Sequence, residues 1–93
     1  MAGEGKIRKY LKDRVESYGW EIRAVVWLGR RNAPDVMCLM GIGRGHPFVE
    51  TKAPDGEPTD AQAREHVRMR ASGCEVLVLS TTEQIDAWLP PRA

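Results

Sequence analysis

Ninety-three residues make one domain at most, residues 1–93, because a stable core needs somewhere near a hundred residues and two cores would not fit. Apolar residues at 42% and charged residues at 29% match ordinary globular usage, which excludes disorder, collagen and a solenoid array, and no apolar run nears the roughly 20 residues of a membrane helix. The net charge of +1 hides an asymmetry: residues 1–54 hold 10 Lys+Arg against 6 Asp+Glu and residues 55–93 hold 4 against 7, so the first half is basic.

In chain order, Ile7, Tyr10, Leu11, Val15 and Tyr18 recur at steps of three or four, predicting an amphipathic helix over 3–18 that Gly19 ends. From Trp20 to Leu28 the pattern alternates and predicts a strand, with Val25 and Trp27 adding apolar character to its second face. Residues 29–34 read as a basic loop. Pro34 cannot donate to a central ladder, so the second strand is expected from about Asp35, with its body at 36–40. Gly41-Ile42-Gly43-Arg44-Gly45 is rich enough in glycine for a phosphate cradle, but such loops feed a helix N-terminus, and here His46-Pro47 and the strand 48–52 follow. A hairpin turn is the expectation. After a loop at 53–58, Thr59 with Gln62 forms a capping-box start for a helix over 60–72, closed by Gly73. Residues 75–80 carry an unbroken apolar run, as a strand buried on both faces does, and 82–89 form a last short helix before Pro90-Pro91. Strand, helix and strand over 48–80 make a right-handed crossover with parallel strands, so the class is α/β.

Two cysteines, Cys38 and Cys74, are too few for a disulfide scaffold and are expected as buried free thiols. The opening Met-Ala-Gly-Glu-Gly-Lys lacks the apolar core of a secretion signal, so an intracellular protein with no membrane partner is expected.

Asp35 opens the second strand, and Glu50 and Lys52 stand two apart on the third, where side chains at i and i+2 share a face. A hairpin between these strands brings Asp35 towards them. Two carboxylates on rigid strands suit a hard divalent cation such as Mg²⁺, and an ammonium beside them offsets charge developing on a phosphate. Against this stands the plain alternative of an exposed Glu–Lys ion pair, which the triplet alone favours.

The wider pattern tips the balance. Glu4, Ile7 and Tyr10-Leu11; Gly19-Trp20; Arg30-Arg31-Asn32-Ala33-Pro34-Asp35; Phe48-Val49-Glu50-Thr51-Lys52-Ala53-Pro54; Pro58-Thr59 with Gln62; and Glu65-His66 with Met69-Arg70 and Gly73 span nearly the whole chain. Together they resemble the PD-(D/E)xK nuclease superfamily, and within it the small stand-alone VRR-NUC (virus-type replication-repair nuclease) domains of phages. That family usually has a glycine two residues before Pro-Asp and a basic residue after; here Asn32, which tolerates a left-handed backbone, and Val36 stand there.

The resemblance implies a restriction-endonuclease-like α-β-β-β-α-β core, a mixed sheet flanked by helices, with a short C-terminal helix added. It implies that Asp35, Glu50 and the carbonyl of Thr51 bind Mg²⁺ or Mn²⁺, that Lys52 assists the attacking water, that Glu4 holds or orients a second ion, and that Gln62 faces the site. DNA is the expected partner, cut to leave a 5′-phosphate, with no small-molecule substrate. Lys6, Arg8, Lys9, Lys12, Arg30 and Arg31 are expected to position its backbone. No separate sequence-reading module fits in 93 residues, so sequence specificity would have to come from loops of the fold itself. Structure-selective cleavage of branched, Holliday-junction-like DNA is the expectation, since a two-fold dimer would present two sites at once. The resemblance and the apolar Val25–Trp27 face both point to a homodimer, and a phage-encoded protein would act in the host cytoplasm. His66, Trp20 and Trp88 are read as structural. The competing readings are a nucleic-acid-binding module without useful catalysis, which would show no cleavage to lose, and a small assembly protein, which would bind no Mn²⁺.

Overall fold

The computed structural model describes residues 2–91, with extents of 38 × 31 × 20 Å. The elements follow the expected order: α1 (Ala2–Glu16), β1 (Glu21–Ala24), β2 (Val36–Leu39), β3 (Phe48–Thr51), α2 (Asp60–Ala71), β4 (Val76–Leu79) and α3 (Thr82–Trp88). The four strands form one mixed sheet in the order β1-β2-β3-β4, antiparallel except for the parallel β3–β4 pair. This is the predicted α/β architecture.

α1 buries Ile7, Leu11 and Val15 against one face of the sheet, where they join Val36, Cys38, Met40, Val49, Leu79 and, from the last helix, Ile85 with Leu89 just beyond it. The spacing of four between Ile7, Leu11 and Val15 keeps them on one stripe of the helix. α1 is clasped to α3 by polar contacts at its edge. Arg14 pairs with Asp86 and donates to the Tyr18 hydroxyl at 3.0 Å, and the Tyr10 hydroxyl donates to Asp86 at 2.7 Å. α2 packs on β4 and buries Glu65, His66 and Met69. Its N-terminus has the predicted capping box: Thr59 Oγ1 accepts from Gln62 N–H at 3.1 Å, and Gln62 Oε1 accepts from Thr59 N–H at 2.9 Å. Thr59→Ala is expected to cost about 1 kcal/mol, seen as a lower midpoint in urea with an unchanged slope.

Three expectations need correction. β1 covers four residues, where the alternation predicted a strand over 20–28. Its register pairs Ala24 with Val36, and Val25 N–H still donates to Asp35 O at 2.9 Å, but the next step would meet Pro34, which has no N–H to give. Beyond that point the chain leaves the sheet, Val26 and Leu28 are solvent-exposed, and Trp27 turns back, donating from Nε1 to Pro34 O at 2.7 Å and packing on Phe48. Trp27 is therefore half-buried within its own chain and does not form the open apolar face expected of it. The second correction is to β4: Val76 and Leu79 are buried, whereas Leu77 and Val78 are only half-covered. The remaining elements differ from expectation by one or two residues at their ends, where helices and strands fray. The third correction is Cys74, which is half-buried; Cys38 is fully enclosed, and burial pushes its thiol up to about 12.

Candidate active site

The candidate residues gather at the end of the sheet where β2 begins and β3 stops. The Arg30-to-Pro34 loop delivers Asp35 to this end, and Asn32 sits within it at φ 67°, the left-handed conformation that the usual glycine would supply. β3 then sorts its residues by alternation. Val49 enters the core on the α1 side and Thr51 is fully buried, while Glu50 points the other way, towards His66 on α2.

Asp35 is held from two directions. Thr51 donates to it from its backbone N–H at 3.3 Å and from its hydroxyl at 3.2 Å, and Arg8 of α1 pairs with its Oδ2. Arg8 also lies 3.7 Å from Glu4, one helical turn earlier. The close approach of α1 depends on Gly3, where a Cβ would stand 3.1 Å from Ala53 Cβ and 3.3 Å from Pro54 Cδ, just after Lys52. Glu4 is thereby brought into electrostatic range of Glu50.

Glu50 is 5% exposed, and its Oε1 has no hydrogen-bond partner. His66 Nε2 is 3.5 Å away, too far for a good bond, and is equally unpartnered. Burial pushes the Glu50 carboxyl up to about 7; the Asp35 charge adds to this, and Lys52 works against it. Burial, helped by Arg70, lowers the His66 pKa, so the ring favours its neutral form. A buried carboxylate with a free oxygen beside a second carboxylate is short of positive charge.

The other expected site residues are distributed as follows. Gln62, half-buried on α2, spends its carboxamide oxygen on the helix cap. Of the basic residues, Lys9 and Lys12 pair along α1 with Asp13 and Glu16, Arg8 is taken by Asp35, and Arg30 is latched to the buried Glu65, which Arg68 also contacts at 2.8 Å. Lys6 and Arg31 are exposed and carry no ion pair among the described residues. The sequence reading missed Arg8 as a neighbour of Asp35, His66 as the neighbour of Glu50, and Glu65 as the anchor of the Arg30 loop. The Glu4–Arg8 spacing of one turn was the available signal for the first.

No protein-family model matches the sequence. A phage protein described as "Putative nuclease p44", from Acyrthosiphon pisum secondary endosymbiont phage 1, is 39% identical over 80 residues, covering 86% of this chain and 85% of its own. A solved structure described as "VRR_NUC domain" superposes with a TM-score of 0.80 at 38% identity, over 91% of each chain. The chain belongs to the VRR-NUC domain family. The VRR-NUC fold thus agrees with the sequence reading, and it belongs to a nuclease class. None of this VRR-NUC chain's described helices is long and apolar enough to cross a membrane.

Proposed function

We propose that this VRR-NUC domain is a Mg²⁺- or Mn²⁺-dependent endonuclease that hydrolyses DNA phosphodiesters, with a preference for branched DNA. The observation that carries the reading is Glu50: a buried carboxylate with an unpartnered oxygen, beside Asp35 and two residues before Lys52. Holding an acid there costs stability unless a cation offsets it, which is the sense in which the residues fit a metal. Among the described residues no three Asp, Glu, His or Cys side chains form a ready-made cage, so the two carboxylates would serve an incomplete oxygen site of the kind Mg²⁺ uses with phosphate.

Asp35 and Glu50, with the carbonyl of Thr51, would hold the ion, and Glu4, whose charge is felt at Glu50, would orient a second. When bound, a divalent cation supplies a Lewis acid that polarises a phosphoryl oxygen and makes water more acidic. Thr51 orients the Asp35 carboxylate by donating from its N–H to one oxygen and from its hydroxyl to the other. Lys52 shares the face of Glu50; its ammonium draws the attacking water and offsets the charge that develops on the phosphoryl oxygens. Gln62 at the start of α2 and the exposed Lys6 and Arg31 contribute to positioning the nucleic acid. Acting as a nuclease inside an infected cell fits the phage origin of that relative.

A second copy is part of the proposal. β1 is an edge strand of the sheet, and Val26 and Leu28 just beyond it are 88% and 93% exposed, an apolar strip suited to pairing across a two-fold axis. Sedimentation at micromolar concentration should give a dimer; a monomer throughout overturns that part alone.

The whole reading is tested by incubating labelled four-way junctions, flaps, forks and plain duplex with the protein and Mg²⁺ or Mn²⁺. Branched substrates should be cut to 5′-phosphate ends, EDTA should stop the reaction and excess Mn²⁺ should restore it. The rate at limiting protein should fall steeply as salt rises. Cleavage that persists in EDTA, or none on any substrate, overturns the assignment.

A further inference from the structure

Arg8 occupies an unusual position for a residue on a basic helix face. Its Nη2 pairs with Asp35 Oδ2 and lies 3.7 Å from Glu4 Oε2, and its Nε is 3.5 Å from Thr51 Oγ1, the same hydroxyl that donates to Asp35 at 3.2 Å. One planar cation therefore spans two acids of the site and the residue between Glu50 and Lys52. The side chain is 43% exposed, so packing does not lock the guanidinium, and its way out to solvent is open. Lys9 and Lys12, on the same helix, pair with Asp13 and Glu16 and touch none of these groups. Asp35 Oδ2 cannot give its full charge to a guanidinium and to a divalent ion at once.

From these contacts we propose that Arg8 is the site's internal counter-ion: it holds Asp35 and Glu4 in place before a divalent cation arrives, yields Asp35 to that cation, and then turns to the substrate phosphodiester. The inference rests on the metal-dependent reading above. It explains why two neighbouring acids tolerate each other in the metal-free protein, and it makes ion binding and substrate binding one coupled event. A guanidinium suits the last role because its fork of donors matches two phosphate oxygens.

The test is titration calorimetry with Mn²⁺ on the wild type, Arg8→Gln and Lys12→Gln, folded state checked by circular dichroism. Removing a competitor should tighten Mn²⁺ binding about fivefold or more in Arg8→Gln, with Lys12→Gln unchanged. In the wild type, the Arg8 Nε–Hε signal in a ¹H–¹⁵N spectrum should shift on adding Mg²⁺, a readout that needs no variant to fold. At saturating Mg²⁺, Arg8→Gln should still cut more slowly than wild type. Equal Mn²⁺ affinity in wild type and Arg8→Gln, the same gain in Lys12→Gln, or an unmoved Arg8 signal with Mg²⁺ bound overturns the inference and leaves the metal site standing. A wild type that binds no Mn²⁺ overturns the metal-dependent reading and this inference with it.

Discussion

Glu50→Gln should make the metal-free protein more stable at pH 8 while abolishing cleavage. The carboxyl is pushed from the ordinary 4.5 to about 7, mainly by burial and then by Asp35. The folded state therefore holds this proton more tightly than the unfolded chain does. Its contribution to stability is full below about pH 4.5, declines as pH rises to about 7, and is gone above that. The difference between those two values corresponds to a penalty on the order of 3 kcal/mol at pH 8. A glutamine fills the same space without a charge to desolvate, so in EDTA the variant should melt on the order of 10 °C higher than wild type at pH 8. At pH 4.5 the two should nearly coincide. The gain should shrink when Mn²⁺ is added, because only the wild type is then stabilised by binding. Equal melting temperatures at pH 8 in EDTA would refute the idea that Glu50 is a buried, uncompensated acid.

Lys52→Met should lower kcat by about 10² to 10³ while leaving the protein folded and able to bind Mn²⁺. The backbone N–H of Lys52 still donates to Leu79 O at 3.0 Å, so the strand end keeps its anchor, and methionine retains most of the apolar stem. What disappears is the positive charge that restrains the Glu50 pKa and that the proposed mechanism sets against the phosphate. Glu50 should then ionise at a higher pH, moving the rising limb of the rate profile in the same direction. Asp35→Ala makes the useful comparison, since it should lose both cleavage and Mn²⁺ affinity while still binding DNA. A Lys52→Met protein that cuts at the wild-type rate would remove Lys52 from the chemistry.

Most of the scaffold could be read in advance because its signals are local. The period of Ile7, Leu11 and Val15 specifies a helix, Thr59 and Gln62 announce a helix start, and the apolar run at 76–79 announces a strand, although its lack of polar residues pointed to the middle of the sheet and it lies at an edge. Asn32 could be foreseen at a left-handed turn because its side chain permits one. The length of β1 could not be foreseen, because it depends on the register that sets Pro34 opposite the residue after Val25. For the same reason Trp27 passed for part of a sheet face. Asp35, Glu50 and Lys52 could be brought together on paper through alternation and a hairpin. The position of Arg8 required the rotation of α1 about its own axis, and the placing of His66 beside Glu50 required the docking of α2. Neither is encoded in a short stretch of chain.

The two thiols differ sharply in accessibility, and that difference is of practical use. Cys38 is enclosed and hard to ionise, while Cys74 is half-open at the turn leading into β4, at the opposite end of that strand from the Leu79 carbonyl that receives Lys52. A maleimide dye should therefore attach once, at Cys74, without any engineered substitution. The fluorophore would lie away from the acidic cluster, so a single labelled chain could be followed on and off its target under turnover conditions.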